Sequence, residues 1–190
     1  MKKKLSFIII FLLILICPSF ASDQLLLPVY KYGKDIIVLS VSSPVNFFAL
    51  QDFQQGMKQG YFKYVYPNNV NDPSKITEIF TARTMIGKKL SAEYIKNGSL
   101  NEYQTKSKVE KVFINKVENF KKYQKATLAL TYIFNSEKTF EYMVYYSGPF
   151  DCSCVLYTIF AKSGLSDQAA FMKAREFINN NVKLIDSANQ

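Results

Sequence analysis

The chain of 190 residues contains no histidine and no tryptophan. The first absence excludes a Ser-His-Asp or Cys-His catalytic arrangement. It also excludes histidine-ligated zinc and an imidazole pH switch within this chain. Arginine is scarce: Arg83 and Arg175 stand alone among 24 basic residues. Specific nucleic-acid readers and phosphate clamps lean on arginine for bidentate contacts, so no nucleic-acid partner is expected. No Gly-rich phosphate loop, G-x-S-x-G, H-E-x-x-H or EF-hand pattern occurs. Beyond residue 17 no run approaches 18 uninterrupted apolar residues, so no later segment is expected to span a membrane.

The start of the chain carries a positive signal. Lys2, Lys3 and Lys4 precede an apolar stretch from Leu5 to Cys17, and Pro18-Ser19-Phe20-Ala21 places small residues at the first and third positions before a cut after Ala21. This is the three-part pattern of a cleavable signal peptide. As a helix the apolar stretch would reach roughly 20 Å, short of the about 30 Å of a hydrocarbon core. Cys17 raises the alternative of a lipoprotein, but bulky Ile16 precedes it where a small residue is needed. The expectation is a signal at 1–21 and one domain at 22–190, exported to the periplasm or beyond. The three leader lysines account for a third of the whole-chain net charge of +9, so that figure overstates the case for an anionic partner.

Removal of the leader also removes one of three cysteines and leaves Cys152-Ser153-Cys154. On a strand, period-two alternation puts both sulfurs on one face, with Cα atoms roughly 6.5 Å apart, near the upper limit for a disulfide. Several readings stand open: buried core thiols, a strained disulfide, pairing between two chains, a soft-metal site such as for Cu(I), or a dedicated redox pair.

Hydrophobic patterning predicts an α+β fold, with an antiparallel sheet of five to six strands packed against an internal helix and a C-terminal helix. Leu25–Leu27, Ile36–Ser42 and Tyr61–Tyr66 read as extended. Gly56 and Gly60 flank a turn, and Val45–Phe53 and Ile76–Met85 are ambiguous between strand and helix. Leu90–Lys96 reads as a short helix capped by Ser91 and ended by Asn97-Gly98. Asn101–Tyr123 reads as the clearest helix, because Val109, Val112, Phe113, Val117 and Phe120 recur at helical spacing. Ala126–Asn135, Thr139–Ser147 and Cys152–Lys162 form a meander by their short connections. A last helix spans Ser166–Ile185, capped by Ser166.

Carboxylates show no acid–base pair. Glu110 and Glu118 alternate with lysines on a solvated face, and Glu137 and Glu141 show no apolar setting that would split their pKa values. Tyr61, Tyr64 and Tyr66, with Tyr142, Tyr145 and Tyr146, offer either an aromatic binding surface or ordinary sheet packing. The segment Gly60–Arg83, GYFKYVYPNNVNDPSKITEIFTAR, resembles the early strands of Mog1/PsbP-like domains. That resemblance implies a compact domain with an antiparallel sheet, often found in exported bacterial proteins, and no particular catalytic residues. Taken together, the sequence points to a non-enzymatic binding module of the bacterial cell envelope, with no cofactor and no metal. Its partner would be a protein or envelope component, and a role accessory to secretion or virulence fits. The alternative is a periplasmic redox or soft-metal protein using Cys152 and Cys154.

Overall fold

The computed structural model describes residues 24–32, 35–42, 48–54, 59–66, 72–85, 89–149 and 151–187. The expected leader with its cut after Ala21, and the turn expected at Gly56, lie outside these residues. Ten strands form two antiparallel sheets. The smaller sheet joins β1 (Gln24–Tyr32), β2 (Asp35–Ser42) and β10 (Val182–Asp186) in the order β1-β2-β10. The larger holds β3 (Phe48–Gln54), β4 (Gln59–Tyr66), β5 (Glu78–Met85), β6 (Lys108–Asn119), β7 (Gln124–Phe134), β8 (Glu137–Ser147) and β9 (Cys152–Phe160). Its order is β3-β4-β5-β9-β8-β7-β6. Two helices complete the fold, α1 (Ala92–Lys106) and α2 (Asp167–Asn181). The α+β class holds, and the ambiguous Val45–Phe53 and Ile76–Met85 resolve into strands β3 and β5. Among the described residues no helix is long and apolar enough to cross a membrane.

Alternation along the strands of the larger sheet divides the core in two. Phe140, Tyr142, Val144 and Tyr146 of β8, with Val155, Tyr157 and Ile159 of β9, face the small sheet and α2. There they meet Leu27, Val29, Leu39, Ala170, Ala174 and Ile178. Met143, Tyr145 and Cys154 face the other way, with Ala126, Leu128 and Leu130 of β7, and pack against Ala92, Ile95, Leu100 and Tyr103 of α1. The two sheets meet closely at the β8–β9 connection. A Cβ on Gly148 would stand 2.1 Å from the Val29 carbonyl oxygen, so only glycine fits there. Ser153 Oγ donates to the Pro28 carbonyl at 2.6 Å beside it.

The internal helix expected at Asn101–Tyr123 is corrected. Only its first turns are helical, as the end of α1; Lys108–Asn119 is the edge strand β6. The cause is two β-bulges, between Val109 and Lys111 and between Val112 and Ile114. Each bulge adds a residue and flips the inward phase. Phe113 and Ile114 therefore pack on the α2 side while Val109 and Val117 register with Tyr132 and Ala126 on the α1 side, so the four-residue spacing of Val109, Phe113 and Val117 imitates a helical repeat without marking one face. The expected stop at Asn97-Gly98 is also corrected. A Cβ on Gly98 would meet nothing within 4 Å, so that glycine answers no steric demand, and α1 runs through it to Lys106. Both serine caps are as read: Ser91 Oγ accepts from Tyr94 N and Ser166 Oγ from Ala169 N. The last helix stops at Asn181, and β-branched Val182 opens β10 instead. The β7–β8 turn is Asn135-Ser136, both with positive φ (49° and 66°), the two-residue turn that suits strand twist.

Candidate functional site

Among the described residues, the face of the larger sheet beneath α1 carries a concentration of polar side chains set among apolar walls. Register builds it in rows. Arg83 of β5 lies opposite Cys154 of β9, which lies opposite Tyr145 of β8. One step along, Thr81, Leu156 and Met143 align; one step further, Thr158 and Glu141. Alpha1 is pinned over the end of these rows by the sheet itself. Ala92 N donates to Ser147 Oγ at 2.7 Å and Glu93 N to Gln124 Oε1 at 2.8 Å, satisfying helix-end donors that would otherwise lack partners.

A pocket of about 500 Å³ opens between the C-terminal half of α1 and these rows. Met143, Leu156 and Phe134 give it apolar walls, with the rings of Tyr103, Tyr132 and Tyr145 between them. Arg83, Thr81, Ser99, Glu102, Lys106 and Ser107 supply its polar lining. The volume falls within the roughly 300–1,000 Å³ of small-molecule sites.

Behind the tyrosines lies Glu141, 6% exposed. Tyr103 Oη donates to one carboxyl oxygen; Tyr132 Oη donates to the other at 3.1 Å, with Thr158 Oγ1 at 3.4 Å. The two rings lie 4.8 Å apart. Burial holds the Glu141 carboxyl above its ordinary value of 4.5, with the three hydroxyls opposing. Burial, with Glu141 adjacent, pushes both phenols up. Tyr145 Oη donates to Ser99 Oγ at 2.9 Å, and burial raises its phenol as well. At the rim, Lys106 pairs with Glu102 at 2.7 Å and holds that carboxyl below its usual range. Arg83 has no such partner: among the described residues no carboxylate lies within 4 Å of it, and it stands opposite Cys154 in register, exposed to solvent.

Cys152 and Cys154 share this face, as alternation requires, and both are free thiols in buried positions. Burial pushes the Cys152 thiol up to about 12. Burial raises Cys154 too, against the pull of the Arg83 guanidinium. The thiolate is the reactive and metal-binding form, and both environments disfavour it. Among the described residues no group of three or more cysteine, aspartate or glutamate side chains stands together as a metal set.

The six tyrosines do not form one surface. Tyr142 and Tyr146, each 8% exposed, pack into the core beneath the small sheet and α2. Tyr145 lies on the opposite face, in the pocket wall. Tyr66 is 37% exposed at the end of β4, with the Lys173 ammonium 5.9 Å from its ring centroid. Tyr61 and Tyr64 pair in register with Arg83 and Phe80; their side chains lie outside the described residues.

The expectation that Glu141 lacks an apolar setting is corrected: it is 6% exposed, and burial raises its pKa. Its neighbours in β8 are aromatic and apolar, and a lone carboxylate in such a strand was the available signal. Glu110 and Glu118 are ion-paired with lysines as expected, though on a strand: Glu118 with Lys116 at 2.9 Å and Glu110 with Lys138 at 3.2 Å. A second hollow, of about 490 Å³, lies at the start of α2. Its Lys138 is already engaged by Asp167 at 2.8 Å and by Glu110.

No family model matches the chain, so the likeness of Gly60–Arg83 to Mog1/PsbP-like domains is not confirmed. No curated protein matches either. Among solved structures, the chain is similar to LpqN, involved in cell envelope biogenesis of Mycobacterium tuberculosis. The identity is 10% and the TM-score 0.49, over 85% of this chain and 91% of that one.

Proposed function

We propose that the chain is an exported protein of the bacterial envelope that works by binding, and that the pocket beneath α1 is where it binds. The observation that carries the binding reading is the pairing of the polar groups around that pocket. Glu141 is taken up by Tyr103, Tyr132 and Thr158, Tyr145 by Ser99, and Glu102 by Lys106. Among the described residues these pairings leave no carboxylate of the pocket poised toward the cavity with a partner to activate it, as turnover would need. The apolar walls with a few fixed polar groups suit reversible capture. Export rests on the leader at 1–21.

Two measurements test this. Intact mass of protein recovered from the exported fraction should match a chain beginning at Ser22; a full-length mass retained in the cytoplasm overturns export. A fragment screen followed by NMR should perturb Met143 and Tyr145. Turnover of a substrate that disappears in Glu141→Gln overturns the non-enzymatic reading. The thiol-pair alternative is favoured by one observation, the shared face of Cys152 and Cys154 beside Arg83. It requires thiols that titrate readily in the folded protein.

A further inference from the structure

We propose that the pocket takes a single-chain amphipathic carboxylate, a fatty-acid-like monoanion, with its headgroup on Arg83 and its chain along Leu156, Met143 and Phe134. This rests on the binding reading above and names its ligand class.

Charge selects the headgroup. Three charged side chains line the pocket: Arg83, Lys106 and Glu102. Lys106 and Glu102 cancel one another at 2.7 Å. Arg83 remains, a net single positive charge. A guanidinium offers five N–H donors in a planar fork, and the neighbour opposite Arg83 on β9 is Cys154, whose sulfur is only a weak acceptor. Arg83 is exposed within the open pocket, so its remaining donors face water that a ligand carboxylate would displace bidentately. Glu141 is within electrostatic reach of Arg83 but forms no ion pair with it: its oxygens are held by the hydroxyls of Tyr103, Tyr132 and Thr158.

The walls select the rest of the ligand. Beyond Arg83 the lining passes to Leu156 and Met143 on the sheet and Phe134 at the end of β7. Phe134 is 48% exposed, an aromatic ring left in water at the pocket's edge. An alkyl chain laid along Leu156 and Phe134 would bury apolar surface that is now wet, beside Met143, which is itself only 2% exposed. A compact polar anion such as phosphate would leave this wall unused. One cation matches one negative charge, which favours a monoanion over a doubly charged headgroup.

The test uses the chain from Ser22 to Gln190 and three probes of equal tail length: decanoate, decanol and decyltrimethylammonium. Binding is read by calorimetry and by the methyl resonance of Met143 in methyl-labelled protein, with exposed Met172 as the control that stays still. Decanoate is expected to bind and to shift Met143, with the other two weaker. Arg83→Gln should weaken decanoate by about tenfold or more, the loss of one charge-assisted pair, and leave decanol unchanged. Arg83→Lys should recover part of the loss. Leu156→Asn should weaken decanoate and decanol alike. Equal binding of all three probes at Met143 overturns the carboxylate assignment and leaves the binding reading standing. Decanoate binding that ignores Arg83→Gln does the same. Silence from all three probes overturns the amphiphile assignment; silence from the fragment screen as well removes the binding reading with it.

Discussion

Glu141 and Glu78 are buried to similar depth, 6% and 3% exposed, on opposite faces of the same seven-stranded sheet. Their surroundings differ in kind. Glu78 receives Lys173 from α2 and the Tyr157 hydroxyl, a charged pair closed by a phenol. Burial and Glu78 together push that phenol up. Glu141 receives hydroxyls alone, two phenols and a threonine, and no cation within bonding reach. The Glu78 side is a clasp: it fixes α2 on a face already filled by Phe80, Tyr157 and Phe177, whose rings lie 4.3 to 6.3 Å apart. The Glu141 side is a backing plate. It orients two tyrosines while a cavity remains open in front of them. A buried carboxylate can thus lock a helix down or hold rings apart, depending on whether its partner carries charge.

The largest effect is expected on the Glu141 side. Glu141→Leu removes the acceptor of both Tyr103 and Tyr132, each of which costs about 1–3 kcal/mol when left unsatisfied. Pocket water re-satisfies them in part, so the expected loss is about 2–4 kcal/mol by urea unfolding. Glu141→Gln keeps an acceptor and should lose much less. Its signature is in pH. The folded pKa of Glu141 lies above 4.5, so the folded state binds its proton more tightly than the unfolded state. The stabilisation is full below the unfolded value and is lost as pH rises through the folded one, with a slope of at most about 1.4 kcal/mol per pH unit. Glu141→Gln should flatten that slope. A wild-type and variant slope that coincide would show that Glu141 titrates as in the unfolded chain.

Lys173→Met comes next. It leaves Glu78 buried with Tyr157 as its only remaining partner. Breaking a fully buried pair costs about 3–5 kcal/mol, but the Lys173 side chain is 44% exposed, so screening lowers the expectation to about 1–3 kcal/mol. Pairing it with Glu78→Gln should restore much of the loss. A double variant as unstable as the single one would mean that Lys173 acts through its stem over Tyr66 instead of through charge.

The smallest effect is Gly98→Ala in the middle of α1. Nothing stands within 4 Å of the added methyl, and alanine favours helix over glycine by about 0.8–1.0 kcal/mol. The variant should raise the unfolding midpoint and leave the pocket unaltered. A loss of stability would mean that α1 is bent or interrupted at Gly98 in solution.

How far the sequence could be read follows from the same elements. Beta7, β8 and β9 alternate without interruption between short turns, so local pattern and tertiary placement agree. Ser91 and Ser166 announced their helices because a cap is a local hydrogen bond. Beta6 was misread because its bulges are defined only against β7, a partner that periodicity does not see. Its lysines are the residues that guard an edge strand, and the same lysines imitate the wet face of a helix. The burial of Glu141 was invisible for a related reason. Nothing near it in sequence records that α1 lies overhead. Arg83 was noticed only for its rarity; its lack of a carboxylate is a property of the folded sheet.

The placement of β10 has a consequence for assembly. Val182–Asp186 pairs with β2, so a strand that follows every other described strand along the chain completes the sheet of residues 24–42, and Ser187 Oγ accepts from Ile36 N at 2.9 Å. Until those residues arrive, β2 presents an open hydrogen-bonding edge next to Ile37 and Leu39, both fully buried once the sheet is complete. A chain emerging N-terminus first must hold that edge unpaired until residues 182–186 have been made. A truncation just before Val182 would make that vulnerable state permanent.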